Sequence, residues 1–221
     1  MRSTLKYILA LPLYLALPMS ASAQKEFVEG TIVYSAKVEA GDGASGKDVH
    51  TGTYTITVKG KQVKKEFQLD NNFDNTILYN GDANTVYSLR VAQGKKYAIQ
   101  LDAQELMNST SKYSNFGIRD GGSNGTIAGL PSQKANISYK DGSSIDILYT
   151  KEWKPVQENL FEHFPAINGL PLDYAYVTDN GATIHFHAEK VEPGVVESAT
   201  FRLPKDYKII NNAEYQSLSK Q

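Results

Sequence analysis

The residues that first suggest chemistry are two histidines and a glutamate at alternate positions, His185, His187 and Glu189. In a β-strand their side chains would leave one face, about 6–7 Å apart from one to the next. Imidazole and carboxylate groups bind Zn²⁺, so a metal-dependent enzyme using His185 and His187 is one alternative. The intervening residues are Ile, Phe and Ala, however, and a strand with this alternation has one buried and one solvated face. The pattern therefore favours solvated side chains, and no metal ligand is predicted.

Other patterns typical of catalysis lack the structural context that they need. Serines are frequent, and residues 121–125 match Gly-x-Ser-x-Gly by their letters, but this stretch is predicted to be a loop and not the strand-to-helix elbow that activates a hydrolase nucleophile. The glycine-rich stretch 121–125 lacks the lysine and the following helix of a phosphate-binding loop, and it is predicted to be a flexible loop. We therefore expect a protein that is not an enzyme and needs no cofactor.

The charge balance and the lack of cysteine narrow the class of protein further. The chain has 23 basic and 24 acidic residues, so neither sign dominates. Electrostatic capture of nucleic acid is therefore not expected. With no cysteine, the chain can form no disulfide, and its stability must come from a hydrophobic core.

The first 23 residues have the features of a cleavable signal peptide. Arg2 and Lys6 precede an apolar run at 7–17, and Ala21-Ser22-Ala23 offers small residues for cleavage. The run is too short to span a bilayer as a helix, so an integral membrane protein is not expected. The sequence predicts export to the periplasm or the extracellular space, with residues 24–221 forming a single domain.

The remainder of the chain alternates apolar and polar residues between turn signals, which indicates β-hairpins. A two-residue loop at Gly60-Lys61 sets Val58 opposite Val63 and Tyr54 opposite Phe67. A less regular turn at Pro193-Gly194 would set Phe186 against Phe201. Three further hairpins have three-residue loops that end in a left-handed glycine: at 92–94, pairing Leu89 with Tyr97 and Tyr87 with Ile99; at 140–142, pairing Ile137 with Ile145 and Ala135 with Ile147; at 179–181, pairing Tyr176 with Ile184 and Tyr174 with Phe186.

These elements predict a mainly β protein built on one antiparallel sheet with one apolar face. Strands at 29–40 and 76–79 bring the total to about ten. Two or three short helices are expected, at 102–107, 157–164 and 211–218, and long loops at 40–46 and 109–125.

Several short motifs resemble a known group of proteins. Gly-Leu-Pro recurs at 129–131 and 169–171, Leu-Tyr-Thr precedes Lys-Glu-Trp at 148–153, and the closing motif is Phe-Arg-Leu-Pro-Lys-Asp-Tyr-Lys at 201–208. These motifs are similar to those of an uncharacterised family of Gram-negative envelope proteins related to GLPGLI proteins and to LolA-like lipoprotein carriers. The resemblance implies a highly curved sheet, a half-open barrel whose concave apolar face is partly covered by helices. LolA-like carriers hold acyl chains in that concavity.

The expected function is non-catalytic binding of an apolar ligand, such as an acyl chain, a lipid or a lipidated peptide, to the concave face. A continuous pocket above roughly 300 Å³, lined by the tyrosines and isoleucines of that face, would favour it. The alternative is a structural or assembly subunit that docks to an outer-membrane or surface complex by a sheet edge or an aromatic patch. The residues expected to line the ligand are the apolar side chains of that face: Tyr54, Ile56, Phe67, Tyr87, Leu89, Tyr97, Ile137, Tyr139, Ile147, Tyr174, Tyr176, Ile184, Phe186 and Phe201.

Overall fold

A computed structural model gives the fold of most of the chain. The predicted signal peptide up to residue 22, residues 103–112 of the first predicted helix and the loop after it, and residues 42–47 of the predicted loop at 40–46 lie outside the described residues. The structure describes residues 23–41, 48–102, 113, 116–157, 160–164 and 167–218.

The described residues form fourteen β-strands, one α-helix and one 3₁₀ turn. Their bounds are β1 Lys25–Phe27, β2 Glu29–Glu39, β3 Val49–Lys59, β4 Gln62–Leu69, β5 Asp74–Asn80, β6 Thr85–Ala92, β7 Lys95–Leu101, β8 Phe116–Ile127, β9 Leu130–Tyr139, β10 Ser144–Thr150, β11 Trp153–Pro155, β12 Leu170–Val177, β13 Thr183–Pro193, the 3₁₀ turn Ser198–Phe201, β14 Lys208–Asn211 and α1 Asn212–Leu218.

Twelve of these strands form one sheet in the order β14-β7-β6-β5-β4-β3-β2-β13-β12-β10-β9-β8. Every pairing along it is antiparallel except that of β14 with β7, so the sheet is mixed. It is curved and is not closed into a barrel, as the predicted half-open architecture requires. The remaining strands, β1 and β11, form a small parallel ladder that was not predicted.

One face of the sheet carries the main core. We call it the inner face and define it by Tyr34, Tyr54, Phe67, Tyr174 and Phe186, which are cross-strand neighbours or ring contacts of one another. The burial of β2 alternates residue by residue, as expected of a strand with one face against a core and the other toward solvent. The β-branched and aromatic residues of these strands suit a pleated, half-buried surface.

Most of the predicted hairpins have the predicted register. Val58 pairs with Val63, and Tyr54 with Phe67. The hairpin at 140–142 pairs Ile137 with Ile145, as predicted. The hairpin at 179–181 likewise shows both of its predicted apolar pairs. Turn chemistry and apolar alternation therefore give the same register at these three turns.

The hairpin at 92–94 is shifted by one residue from its prediction. Its loop has two residues, because Gln93 and Gly94 both adopt a positive φ and Ala92 pairs with Lys95. Two left-handed residues in a row make a type I′ turn, whose twist matches that of the strands. Leu89 consequently pairs with Ala98 instead of Tyr97.

The predicted turn at Pro193-Gly194 is wrong. Strand β13 continues to Pro193, which pairs with Gly30 of β2, and the chain then leaves the sheet. The carboxylate of Glu29 directs this exit, because it accepts hydrogen bonds from the backbone N–H of Val196 at 2.8 Å and from Nζ of Lys59 at 2.7 Å. Within the described residues, no strand after residue 193 pairs with β13, whose neighbours in the sheet are β2 and β12.

The chain beyond β13 covers the outer face, the side of the sheet opposite the inner face. Its 3₁₀ turn lies against β4 and β5. Leu203 and Tyr207 then pack on Leu78, Leu89 and Ala98. After that the chain forms the edge strand β14, and α1 packs Tyr215 and Leu218 against the opposite side of β7.

One helical prediction is confirmed, whereas a second helical prediction and one loop prediction differ from the structure. Segment 211–218 is helical, with Asn211 capping the backbone N–H of Glu214 at 2.8 Å. The described part of segment 157–164 is not a helix. It has two separate turns, closed by hydrogen bonds from the N–H of Leu160 to the carbonyl of Gln157 and from the N–H of Phe164 to the carbonyl of Phe161. The predicted loop at 109–125 contains most of β8, in which register shifts accommodate the glycine-rich stretch.

No helix within the described residues has the length and apolar character needed to cross a bilayer.

A pair of isoleucines tests the position of the core. Ile137 on β9 is fully buried, whereas its cross-strand partner Ile118 on the end strand β8 is 44% exposed. We expect Ile137→Ala to lower the free energy of unfolding by about 2–5 kcal/mol, because it leaves a cavity in packed surroundings. We expect Ile118→Ala to change it by about 0.5 kcal/mol. Urea denaturation measures both, and equal losses would contradict the assignment of the inner face as the core.

Candidate functional site

The centre of the inner face is a continuous group of aromatic rings. Phe186 lies at its middle, with ring centroids 4.9 Å from Tyr54, 5.2 Å from Tyr174, 5.7 Å from Phe67 and 6.1 Å from Tyr176. Three of these contacts are tilted and that with Tyr176 is stacked. Such contacts stabilise aromatic pairs beyond the burial of their area. Burial raises the pKa of Tyr54 and Tyr174 well above the usual value of 10, so these phenols stay neutral.

A short segment between β11 and β12 lies over these rings. We call residues 160–164 the cover segment; they are Leu160, Phe161, Glu162, His163 and Phe164. Its three apolar side chains are buried in the main core, although the segment belongs to neither a strand nor a helix. Burying each of them contributes about 1.5–3 kcal/mol relative to exposure.

Contacts with the sheet fix the position of the cover segment. The hydroxyl of Tyr139 donates a hydrogen bond to the backbone carbonyl of His163 at 2.7 Å. The ring of His163 stacks on Tyr176 with centroids 3.8 Å apart. Phe164 meets Tyr174 edge-on at 5.1 Å. The segment is therefore held by side chains, and its described residues make no ladder of backbone hydrogen bonds with the sheet.

One ion pair joins the cover segment to the sheet. Nζ of Lys65 on β4 lies 2.8 Å from a carboxylate oxygen of Glu162. The side chain of Lys65 is only 12% exposed, and that of Glu162 is 45% exposed. The nearby ammonium lowers the pKa of Glu162 below its usual value of 4.5.

A cavity remains beneath the cover segment. Its volume is about 150 Å³, and it is lined from below by the aromatic rings of the inner face and by Lys65, Asn75 and Ile77. This is smaller than the pocket of roughly 300 Å³ expected from the sequence for a bound ligand. With the cover segment in place, this cavity, as the described residues outline it, has room for a small ring at most.

The fourteen residues predicted to line a ligand do not all share one face. Tyr87 and Leu89 lie on the outer face, because the one-residue shift at 92–94 turns them away from Tyr97. Phe201 ends the 3₁₀ turn, because the chain leaves the sheet after β13. The prediction that these three share the inner face is wrong. The other eleven lie on it, and five of them line the cavity: Tyr54, Phe67, Tyr174, Tyr176 and Phe186. Whether they contact a ligand stays a prediction.

The sequence predicts neither the cover segment nor the ion pair. The spacing of the segment's apolar residues predicts a helix, whereas the described residues 160–164 are not helical. In the hairpin of β3 and β4, the inner-face pairs on either side of Lys65 are apolar, and Lys65 is the one polar residue, opposite Ile56. That mismatch was the available signal of a charge placed on the inner face.

His185 and His187 lie on the outer face, in the same strand as predicted. Asp173 on β12 contacts both, at 3.0 Å from Nε2 of His185 and 2.6 Å from Nδ1 of His187. A register shift between Ala188 and Lys190 leaves Glu189 without a partner in the ladder, and its side chain is exposed. Within the described chain, no group of three His, Cys, Asp or Glu side chains is placed to hold a metal ion.

Comparison with known proteins finds similarity to solved structures but no significant similarity in sequence. No protein-family model matches the sequence, and no curated protein matches it significantly. Solved structures with a similar fold include MucB in complex with MucA(peri), at 12% identity and a TM-score of 0.43, over 82% of this chain and 57% of that one. This chain thus spans a little over half the length of that structure.

Two further solved structures are similar in fold. A β-barrel-like protein of a domain of unknown function from Brucella abortus is 12% identical, with a TM-score of 0.36, over 77% of this chain and 100% of that one. A LolA superfamily protein from Nitrosomonas europaea is 8% identical, with a TM-score of 0.33, over 80% and 92%. This last neighbour belongs to the group that the sequence motifs resemble, whereas the relation to GLPGLI proteins stays a prediction. Because every TM-score is below 0.5, no functional conclusion rests on these neighbours.

The ion pair predicts a pH dependence of the cover segment. A lowered pKa in the folded state stabilises the fold above the usual pKa of 4.5, and that contribution is lost as the pH falls through the lowered value. Lys65 and His163 are the charged or titratable groups that influence Glu162 most strongly. In a double-mutant cycle of Lys65→Met and Glu162→Gln, we expect a coupling energy of about 1 kcal/mol or less at pH 7, because Glu162 is partly exposed.

The coupling should vanish at a pH well below 4.5, where Glu162 is protonated. Urea denaturation of the four proteins at both pH values measures it. A coupling energy that is unchanged at low pH would show that charge attraction does not join these two side chains.

Proposed function

We propose that this is a non-catalytic envelope protein that binds an apolar ligand, such as an acyl chain, a lipid or a lipidated peptide, on its inner face. The ligand takes the place of the cover segment over the aromatic rings. The observation that carries the proposal is that the centre of an aromatic sheet face is covered by a segment that belongs to no strand or helix.

The size of the cavity requires this exchange. About 150 Å³ is half the lower limit of ordinary ligand pockets, so a chain of many methylene groups does not fit beneath Leu160, Phe161 and Phe164. If these side chains move out, the ligand regains the burial that they lose, at about 25 cal/mol per Å² of apolar surface. The energetic difference between the covered and the ligand-bound states is then small, as reversible binding requires.

The way the cover segment is attached supports the same exchange. Of the contacts between described residues, its removal breaks the hydrogen bond from Tyr139, the ion pair with Lys65, the stacking of His163 on Tyr176 and apolar contacts, and it leaves the backbone pairings of the sheet intact. Segments with few backbone hydrogen bonds to their surroundings are the ones that open at low free-energy cost.

Export, the envelope location and a lipid or lipoprotein partner belong to the same proposal. The apolar run at 7–17 supports export, because it has the length and charge of a signal peptide. An aqueous compartment next to a membrane is where a soluble protein meets single acyl chains. The near-neutral charge of the chain gives no support for a nucleic-acid partner.

A substitution in the cover segment tests the proposal. We expect Phe161→Ala to enlarge the cavity and to strengthen binding of N-phenyl-1-naphthylamine, an uncharged apolar fluorophore. The control is Phe27→Ala, since Phe27 is equally buried but packs on Trp153 and does not line the cavity. Both variants should lose about 3 kcal/mol or more of unfolding free energy.

Fluorescence titration gives the affinity of each protein. Only Phe161→Ala should bind the fluorophore more tightly than the wild type. Absence of binding by the wild type and by Phe161→Ala would contradict the proposal and would favour a structural or assembly role.

A further inference from the structure

Lys65 is a positively charged residue on the otherwise apolar inner face. In the sheet its cross-strand partners are Ile56 on one side and Ile77 on the other. Its ammonium is nearly withdrawn from solvent, and the ion pair with Glu162 satisfies it. Charged side chains are seldom placed on such a surface unless they are paired.

The charges of the cavity are few. Among the described residues that line it, Lys65 and Glu162 form the ion pair, and Asn75 and His163 add polar groups. The carboxylate comes from the cover segment and the ammonium from the sheet. The two charges are therefore separated whenever the cover segment leaves the inner face.

Opening the cover segment has an electrostatic consequence. Glu162 moves away with the segment, whereas Lys65 stays on β4 between its two isoleucines. Once an uncharged ligand covers the face in its place, the ammonium of Lys65 is again shielded from water but has no anionic partner. A ligand that carries its own anion restores the pair, and an uncharged ligand does not.

We propose that the ligand is an amphiphile with an anionic head group, whose carboxylate or phosphate replaces the Glu162 carboxylate at Nζ of Lys65 while its hydrocarbon chain replaces the apolar side chains of the cover segment. This inference rests on the proposed function, and it adds the chemical class of the ligand. Glu162 and its flanking apolar residues resemble such an amphiphile, since they place one carboxylate beside buried hydrocarbon at the same surface.

A comparison of matched head groups tests the inference. Isothermal titration calorimetry measures the affinity for dodecanoate, dodecyl phosphate and the uncharged dodecanamide, which share a twelve-carbon skeleton. We expect the wild type to prefer the anions over the amide by about ten-fold, the value of a charge-assisted hydrogen bond. The ratio of the affinities for dodecyl phosphate and dodecanoate shows whether the site prefers a phosphate or a carboxylate head group.

Three variants assign the preference to Lys65. Lys65→Met should bind all three probes with similar affinity, and Lys65→Arg should retain the preference because it keeps the charge. Lys64→Met is the matched control, because Lys64 is the adjacent lysine on the same strand, pairs with Leu78 of the outer face and lies 2.7 Å from Glu66. It should bind as the wild type does.

The outcomes separate the two proposals. Equal affinities of the wild type for the anions and the amide, or a preference that persists in Lys65→Met, would overturn the anionic head group and leave apolar binding intact. Failure of the wild type to bind any of the three probes would overturn apolar binding itself, and the head-group inference with it.

Discussion

The structure depends on one constraint: an aromatic sheet face must be kept from water. An open sheet with an apolar face needs a second layer, which in most domains is another sheet or a set of helices. Here the outer face receives the chain that follows β13, and β7 receives helix α1. Among the described residues, the centre of the inner face is covered mainly by the short cover segment, so the largest group of rings has an irregular layer above it.

This arrangement relates the stability of the protein to its proposed activity. The rings that anchor the core, such as Tyr174 and Phe186, also form the floor of the cavity. A ligand can therefore use a surface that the fold has already organised, and it needs only to match what the cover segment provides. Lys65 gives that surface one polar requirement, and Glu162 meets it when no ligand is bound.

The sequence predicts the sheet better than it predicts the site. Registers at 60–61, 140–142 and 179–181 follow from local turn chemistry combined with alternation, both of which are short-range. At 92–94 a glycine is compatible with a two- and a three-residue loop, and only the left-handed φ of Gln93 distinguishes them. The cover segment depends on contacts across more than twenty residues of sequence, such as that of Tyr139 with His163, which no local pattern encodes.

Hydrogen–deuterium exchange tests the central claim most directly, because it reports on the cover segment and the sheet in the same experiment. The claim is that ligand and cover segment occupy the same surface in turn. With the uncharged fluorophore bound, the backbone amides of residues 160–164 should exchange faster than in the free protein, while those of β2 and β3 stay unchanged. Bound ligand together with equal or greater protection of residues 160–164 would contradict the account.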